Sequence, residues 1–246
     1  MGKQVSTLKM VGSFAGAVGY IDKQGRVQMR SKPEKVSDPN TKKQREVRLR
    51  FLAISTVARG MKNVLLGLTP QAKSKRISLR NTFIKYNYAA TEGTVYDANG
   101  SGETDFSLVK VSMGPVGNPT FGTPKSTEPL QIDVVVSNAD SDPESTVDNA
   151  KVYIVAYNPA ENKSIIASNK LDNLTINIQV PNSWNGENVK VYGFVQRFDS
   201  KQAREEYESI FNNPEMAGGQ SSQTIFQLQS NAEYSDSRYL GEVSIS

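Results

Sequence analysis

The chain has 246 residues, 37% hydrophobic and 22% charged, a globular composition with room for one or two domains. It contains no cysteine and no histidine, which excludes disulfides, thiolate and imidazole metal sites, cysteine nucleophiles and every Ser–His–Asp or Cys–His triad. The net charge of +4 conceals a division: residues 1–90 hold 19 Lys and Arg against four Asp and Glu, net +15, whereas residues 91–246 hold 10 against 21, net −11.

So long a bias has three physical readings. The basic part neutralises nucleic-acid phosphates, or docks on the acidic part of a neighbouring copy, or is covered by the chain's own acidic domain. At the start, Met1-Gly2-Lys3-Gln4-Val5-Ser6 leads into no apolar stretch, so no secretion signal is expected. Gly2 with Ser6 fits only the short myristoylation pattern. No run approaches the ~20 apolar residues of a membrane span.

Ala17–Ile21 and Arg26–Arg30 flank Asp22-Lys23-Gln24-Gly25 and predict a hairpin, because a glycine late in a short connection takes the turn's positive φ. Gly12, Gly16 and Gly19 precede no Gly-Lys-Ser/Thr, so phosphate-loop and dinucleotide fingerprints fail. Residues 32–44 form a polar linker with Pro33 and Pro39. Thr41-Lys42-Lys43-Gln44 fits a capping box and starts a helix over about 42–66. Its apolar stripe is Val47, Phe51, Ile54, Ala58, Met61, Val64 with Leu65, and Leu68, at alternating spacings of three and four. Gly67 and Pro70 supply the expected stop. Arg45, Arg48, Arg59 and Lys62 occupy the opposite face.

A second basic cluster, Lys73, Lys75, Arg76 and Arg80, leads into a short helix at Leu79–Tyr88. There an amphipathic helix burying Phe83 and Ile84 competes with base stacking by Phe83, Tyr86 and Tyr88 beside Lys85. After Ala90 the texture becomes short β-rich runs between turn residues. The predicted strands are Ser107–Ser112, Leu130–Ser137, Ala150–Asn158, Lys163–Asn169, Leu174–Val180, Glu187–Arg197, Gln223–Gln229 and Tyr239–Ile245. Val152, Ile154 and Ala156 alternate with Tyr153, Val155 and Tyr157 as two strand faces, and Trp184 is a core-edge aromatic. A polar insert at 199–222 contains a short acidic helix, Ala203–Phe211, whose Glu205, Glu206 and Glu208 are expected to face water.

Asn138, Asp140, Asp142, Glu144 and Asp148 form the densest carboxylate cluster, but the turn glycine and closing glutamate of an EF-hand loop are missing, so a solvated loop is expected. Asn99-Gly-Ser101, Asn162-Lys-Ser164 and Asn173-Leu-Thr175 match the glycosylation pattern, which means little without a secretory signal.

An ordered series of short features resembles a family of proteins from Bacteroidota genomes catalogued as a domain of unknown function. It comprises Gly12-Ser-Phe14, Gly16-Ala-Val-Gly19, Gly25-Arg-Val-Gln-Met-Arg30-Ser-Lys-Pro33, and Thr41 with Gln44, Arg48 and Arg50-Phe51. Tyr157-Asn-Pro159, Val180-Pro181, Val189-Lys-Val-Tyr192 and Tyr239-Leu-Gly-Glu242-Val complete it. The resemblance runs nearly end to end and implies a two-part layout, without bringing an activity or site residues. Its association with mobile or phage-like genomes points toward a virion or assembly component.

The resulting expectation is a mainly β protein with an α-helical N-terminal part: a hairpin and a long amphipathic helix before an antiparallel immunoglobulin- or fibronectin-like sandwich. Residues 1–95 are the expected basic region and 96–246 the acidic sandwich. The expected function is non-enzymatic and structural, in a bacteriophage particle or the cytoplasm of the producing cell. Expected partners are further copies of the chain, other virion proteins, or DNA or RNA; no membrane, metal, cofactor or small-molecule substrate is expected. The contact residues would be Arg26, Arg30, Lys42, Lys43, Arg45, Arg48, Arg50, Lys73, Lys75, Arg76 and Arg80, with Val47, Phe51, Ile54, Met61, Leu65 and Leu68 as the helix-packing stripe. Nucleic-acid binding through the same basic residues is the alternative function.

Overall fold

The computed structural model describes residues 12–14, 16–21, 25–31, 40–93, 104–137, 149–172, 174–211 and 232–245. The chain forms two compact units, residues 1–45 and 46–246. In the first, β1 (Gly12–Phe14), β2 (Ala17–Ile21) and β3 (Val27–Ser31) form an antiparallel sheet in that order. The expected hairpin is β2–β3, with Ile21 opposite Val27 and Gly25 at φ +77°. Such a backbone is open to glycine without a steric cost. The expected strand Gln223–Gln229 lies outside the described residues.

Helix α1 (Lys42–Gly60) opens with the expected reciprocal cap: Gln44 N–H donates to Thr41 Oγ1 at 3.3 Å and Thr41 N–H to Gln44 Oε1 at 3.1 Å. It ends at Gly60, six residues before the expected stop. The chain then turns through 61–64 and a 3-10 segment, Leu65–Leu68, and enters α2 (Thr69–Lys75), bent by 120° from α1. Pro70 therefore starts a helix, where its missing N–H costs nothing. Gly60 is where α1 meets a hairpin of the main sheet: a Cβ there would stand 2.6 Å from the carbonyl oxygen of Asn162. Ser78 caps α3 (Leu79–Asn87), accepting from Asn81 N–H at 3.2 Å, and Phe83 and Ile84 are buried as the amphipathic reading requires.

The remaining strands are antiparallel. β4 (Thr120–Phe121), β5 (Gln131–Ser137) and β8 (Leu174–Gln179) form one sheet in the order β4-β5-β8. β6 (Ala150–Asn158), β7 (Lys163–Lys170), β9 (Asn188–Arg197), β10 (Glu233–Tyr234) and β11 (Arg238–Ser244) form the other, β7-β6-β9 with β10 and β11 both pairing β9.

Every residue of β6 is buried. Alternate side chains point to opposite faces of a strand, so both faces are covered. Val152, Ile154 and Ala156 join Ile132, Val134, Ile176, Ile178 and Trp184 in the core between the two sheets. Tyr153, Val155 and Tyr157 join Ile54, Met61, Leu65, Leu68 and Phe83 in a second core beneath the helices. The unit thus has three layers: helices, a five-stranded sheet and a three-stranded sheet. The expected division at 95/96 falls inside this unit, whose helices and sheet share a core.

Residues 107–112 do not form the expected strand. Asp105 caps a 3-10 turn at Phe106–Leu108, accepting from Ser107 N–H at 3.0 Å. Beyond it the amide side chain of buried Asn87 takes the place of a strand partner, accepting from Lys110 N–H at 2.6 Å and donating to Lys110 O at 2.9 Å. Buried backbone groups need partners, but a side chain serves as well as a strand. The polar insert begins with α4 (Lys201–Phe211).

Candidate interaction surface

The apolar stripe read along the first helix divides in two. Ile54, Met61, Leu65 and Leu68 are fully buried, whereas Val47 is 48% and Phe51 51% exposed, with Leu52 beside them at 41%. Only the second half of α1 lies over the sheet; its buried residues are Ala53, Ile54, Ser55, Val57 and Ala58. The first half therefore presents apolar side chains with no core to enter. Val47, Arg48, Phe51, Leu52, Ser55 and Tyr88 line an open groove of 640 Å³.

Two arginines fix the rim of this groove. Arg50 donates from Nε to Thr91 Oγ1 at 3.1 Å and from Nη2 to the Glu92 carboxylate at 3.2 Å, with its guanidinium 4.4 Å from the centre of the Tyr88 ring. The ion pair is weak, since the Glu92 side chain is 69% exposed. The stacking and the threonine bond hold the guanidinium against the turn that follows α3. Arg80 reaches back from α3 and donates from Nη2 to Ser55 Oγ on α1. Two of the expected contact arginines are thus also tethers between helices.

The others are placed as follows. Arg26 and Arg30 are exposed in the first unit, at and before β3. Lys42, Lys43 and Arg45 are exposed on the first turns of α1, and Arg48 is exposed on the wall of the groove. Lys73 and Lys75 are exposed on α2, and exposed Arg76 closes that helix in the left-handed conformation at φ +53°. Among the described residues, no carboxylate lies within 4 Å of the charged groups of Lys42, Lys43, Arg45, Lys75 or Arg76. Leu52 and the Arg50 partners Thr91 and Glu92 were not anticipated. Leu52 sits one position off the stripe, and nothing in the spacing marks the other two.

The acidic helix differs from expectation at one residue. Glu205 and Glu206 face solvent, but Glu208 turns inward, 2.7 Å from Arg204 and 3.6 Å from Lys151 Nζ. Lys151 is 5% exposed; burial lowers its ammonium pKa, opposed by the Glu208 charge. Its cation also lies 5.8 Å from the centre of the Tyr207 ring, itself buried against Phe198. An inward ion pair and one buried aromatic therefore hold α4 to the sheet.

The chain belongs to a family of unknown function, DUF6266. The family model matches residues 7–209, from ahead of β1 into α4, so the match reaches both units and stops short of β10 and β11. No curated protein and no solved structure matches the chain. Among the described residues no single helix is long and apolar enough to cross a membrane. No group of three or more acidic side chains among them is placed to hold a metal ion; the cluster at Asp140, Asp142 and Glu144 lies outside them.

Proposed function

We propose that the protein is a non-enzymatic assembly component, a building block of a bacteriophage particle, in which the outer face of α1 docks on a neighbouring subunit. The observation that carries this reading is the exposed triplet Val47, Phe51 and Leu52 on a helix tethered at Arg50 and Arg80. Contiguous exposed apolar side chains rimmed by polar groups are the mark of an interaction site. The non-catalytic part of the proposal rests on composition, since a chain without histidine and cysteine lacks the usual bases and nucleophiles.

Covering the exposed half of Phe51 removes roughly 100 Å² of apolar surface from water, worth about 2 kcal/mol, or some 30-fold in dissociation constant. Sedimentation velocity over a concentration series is expected to show self-association or capture by other particle proteins, and Phe51→Asp to weaken it by at least that factor. A wild-type chain that stays monomeric at its highest soluble concentration and binds no protein encoded beside it would sink the proposal.

Nucleic-acid binding is the second reading, supported by the exposed Lys42, Lys43, Arg45, Lys73, Lys75 and Arg76. It requires affinity to fall steeply with salt, since each neutralised phosphate releases counterions; a flat dependence removes it. We further propose that the two facing sheets are an immunoglobulin- or fibronectin-type sandwich. The strand order β4-β5-β8 against β7-β6-β9-β11 supports this, because it corresponds to A-B-E against C′-C-F-G.

A further inference from the structure

We infer that a cleft at one end of the five-stranded sheet binds a neutral saccharide, its aromatic side chains stacking on sugar rings while the polar groups beside them take the hydroxyls. The inference does not depend on the assembly reading above, because the cleft and the α1 groove share no residue. The cleft has a volume of 700 Å³, within the range of about 300–1,000 Å³ that ligand sites occupy. Asp105, Phe106, Glu187, Asn188, Lys190 and Tyr239 are among its lining residues.

A β-bulge builds one wall. Tyr239 pairs Tyr192 in register, but Gly241 rather than Leu240 pairs Val191, and Glu242 then pairs Lys190. In a regular strand Tyr239 and Glu242, three positions apart, would lie on opposite faces. The extra residue brings both to the face of Tyr192 and Lys190, while Leu240 packs against the core between the sheets. Gly241 takes the bend at φ +124°. Bulges of this kind re-aim a side chain beside functional sites. The rings are also fixed from behind: Phe106 packs 5.6 Å from Tyr157, Tyr239 5.4 Å from Tyr192, and the Tyr192 hydroxyl donates to the Phe106 carbonyl at 2.9 Å.

The polar groups are largely unclaimed. Among the described residues the Glu187 carboxylate and the Tyr239 hydroxyl have no hydrogen-bond partner, Asn188 uses only its amide oxygen, on Ser244, and Asp105 only one carboxylate oxygen, on Ser107. Burial raises the Tyr239 hydroxyl pKa, which keeps it a donor. Lys190, paired with Glu242, stands 5.7 Å from the Phe106 ring centre. The cleft thus sets the acceptors Asp105 and Glu187 beside the donors Asn188, Lys190 and Tyr239. An anion would meet the two carboxylates, and a cation would meet the ammonium already seated over Phe106. A sugar hydroxyl both donates and accepts, so one uncharged ligand satisfies the whole set. The C–H faces of its ring match the aromatic surface. Because the cleft is open, it admits the interior of a saccharide chain as well as its end.

Titration calorimetry with linear hexasaccharides of glucose, mannose, galactose and N-acetylglucosamine tests this. At least one is expected to bind saturably, with an affinity that changes less than about twofold between low and high salt, since no ion pair forms. Glu187→Ala is expected to weaken it about tenfold or more. Tyr239→Phe, which keeps the ring against Tyr192, is expected to cost about threefold, and Tyr239→Ala more than that. The graded pair answers the objection that the alanine variant misfolds. No binding of any of the four at about 10 mM, or binding that these variants leave unchanged, overturns the inference. Binding of oligolysine in place of the sugars, lost as salt rises, would assign the cleft to a cation and overturn it equally.

Discussion

Replacing Gly60 by alanine sets two effects of opposite sign against each other. Gly60 is the last residue of α1, and alanine is worth up to about 1 kcal/mol over glycine in a helix. Against this, the added methyl would sit 2.6 Å from the carbonyl oxygen and 2.8 Å from the carbonyl carbon of Asn162, and against its side-chain oxygen. Asn162 has little room to give. It holds a left-handed conformation at φ +52° in the β6–β7 turn, and its side chain accepts from the Tyr157 hydroxyl at 3.0 Å. Overpacking of this kind costs about 1–3 kcal/mol. Displacing the helix end also strains the bond from Ser164 Oγ to Gly60 O at 2.8 Å, worth about 1 kcal/mol. The net expectation is a loss of about 2 kcal/mol. For a cooperative unit of this size that lowers Tm by about 4–8 °C, measurable by circular dichroism or scanning calorimetry. A Tm equal to or above that of wild type would refute the close packing of α1 on the hairpin.

The two halves of the apolar stripe should respond differently to truncation: Met61→Ala, at 0% exposure, costs about 2–5 kcal/mol in urea unfolding, whereas Phe51→Ser, which gives up a ring already half in water, costs about 1–2 kcal/mol. Glu208→Gln takes away the carboxylate charge 3.6 Å from buried Lys151 and costs about 2–3 kcal/mol. Lys151→Met added to it recovers most of the loss, visible as restored resistance of α4 to proteolysis. The hydroxyls of Tyr153, Tyr157, Tyr192 and Tyr234 are all raised above 10, burial being the main cause. A raised folded pKa means the native state keeps protons that the unfolded chain releases. Stability is therefore full below about pH 10 and falls as pH rises beyond it. Ultraviolet titration should show these four ionising only together with loss of the near-ultraviolet dichroism.

What the sequence disclosed follows its local patterns. Runs rich in Val, Ile, Thr and Tyr between turn residues marked β5, β6, β7, β8, β9 and β11, and the Thr41–Gln44 cap marked the start of α1 to the residue. The failures lie where a partner distant in sequence decides. Residues 107–112 have strand-like composition, yet Asn87 satisfies the backbone of Lys110 and Ser237 Oγ the N–H of Val111, both from other elements. The first helix ends where Gly60 meets Asn162, a contact between residues 102 positions apart. Spacing also assigned Val47 and Phe51 to the same stripe as Ile54, correctly for a helix. It carried no information on how far along α1 the sheet extends beneath it, and that separates a core residue from an exposed one. The charge division was visible in composition; the inward turn of Glu208 was not, because Lys151 lies far away in sequence.

The tethered geometry of α1 bears on the kinetics that the proposed contact would show. Ordering flexible side chains at an interface costs roughly 0.5–1.5 kcal/mol each. The groove avoids part of that cost, because Phe51 has only two rotatable side-chain bonds and the helix beneath it is held by Arg50 on Thr91 and by Arg80 on Ser55. Binding energy then comes mainly from apolar burial, which salt does not screen, while the exposed Lys42, Lys43 and Arg45 on the first turns of α1 act at a distance as the subunits approach. Raising the ionic strength from low to several hundred millimolar should slow association by about tenfold or more and leave dissociation nearly unchanged. Stopped-flow dilution and concentration-jump light scattering separate the two rates. If salt instead accelerated dissociation while leaving association untouched, the contact would be held by charge rather than by Val47, Phe51 and Leu52, and the α1 face would be no more than a carrier for its basic side chains.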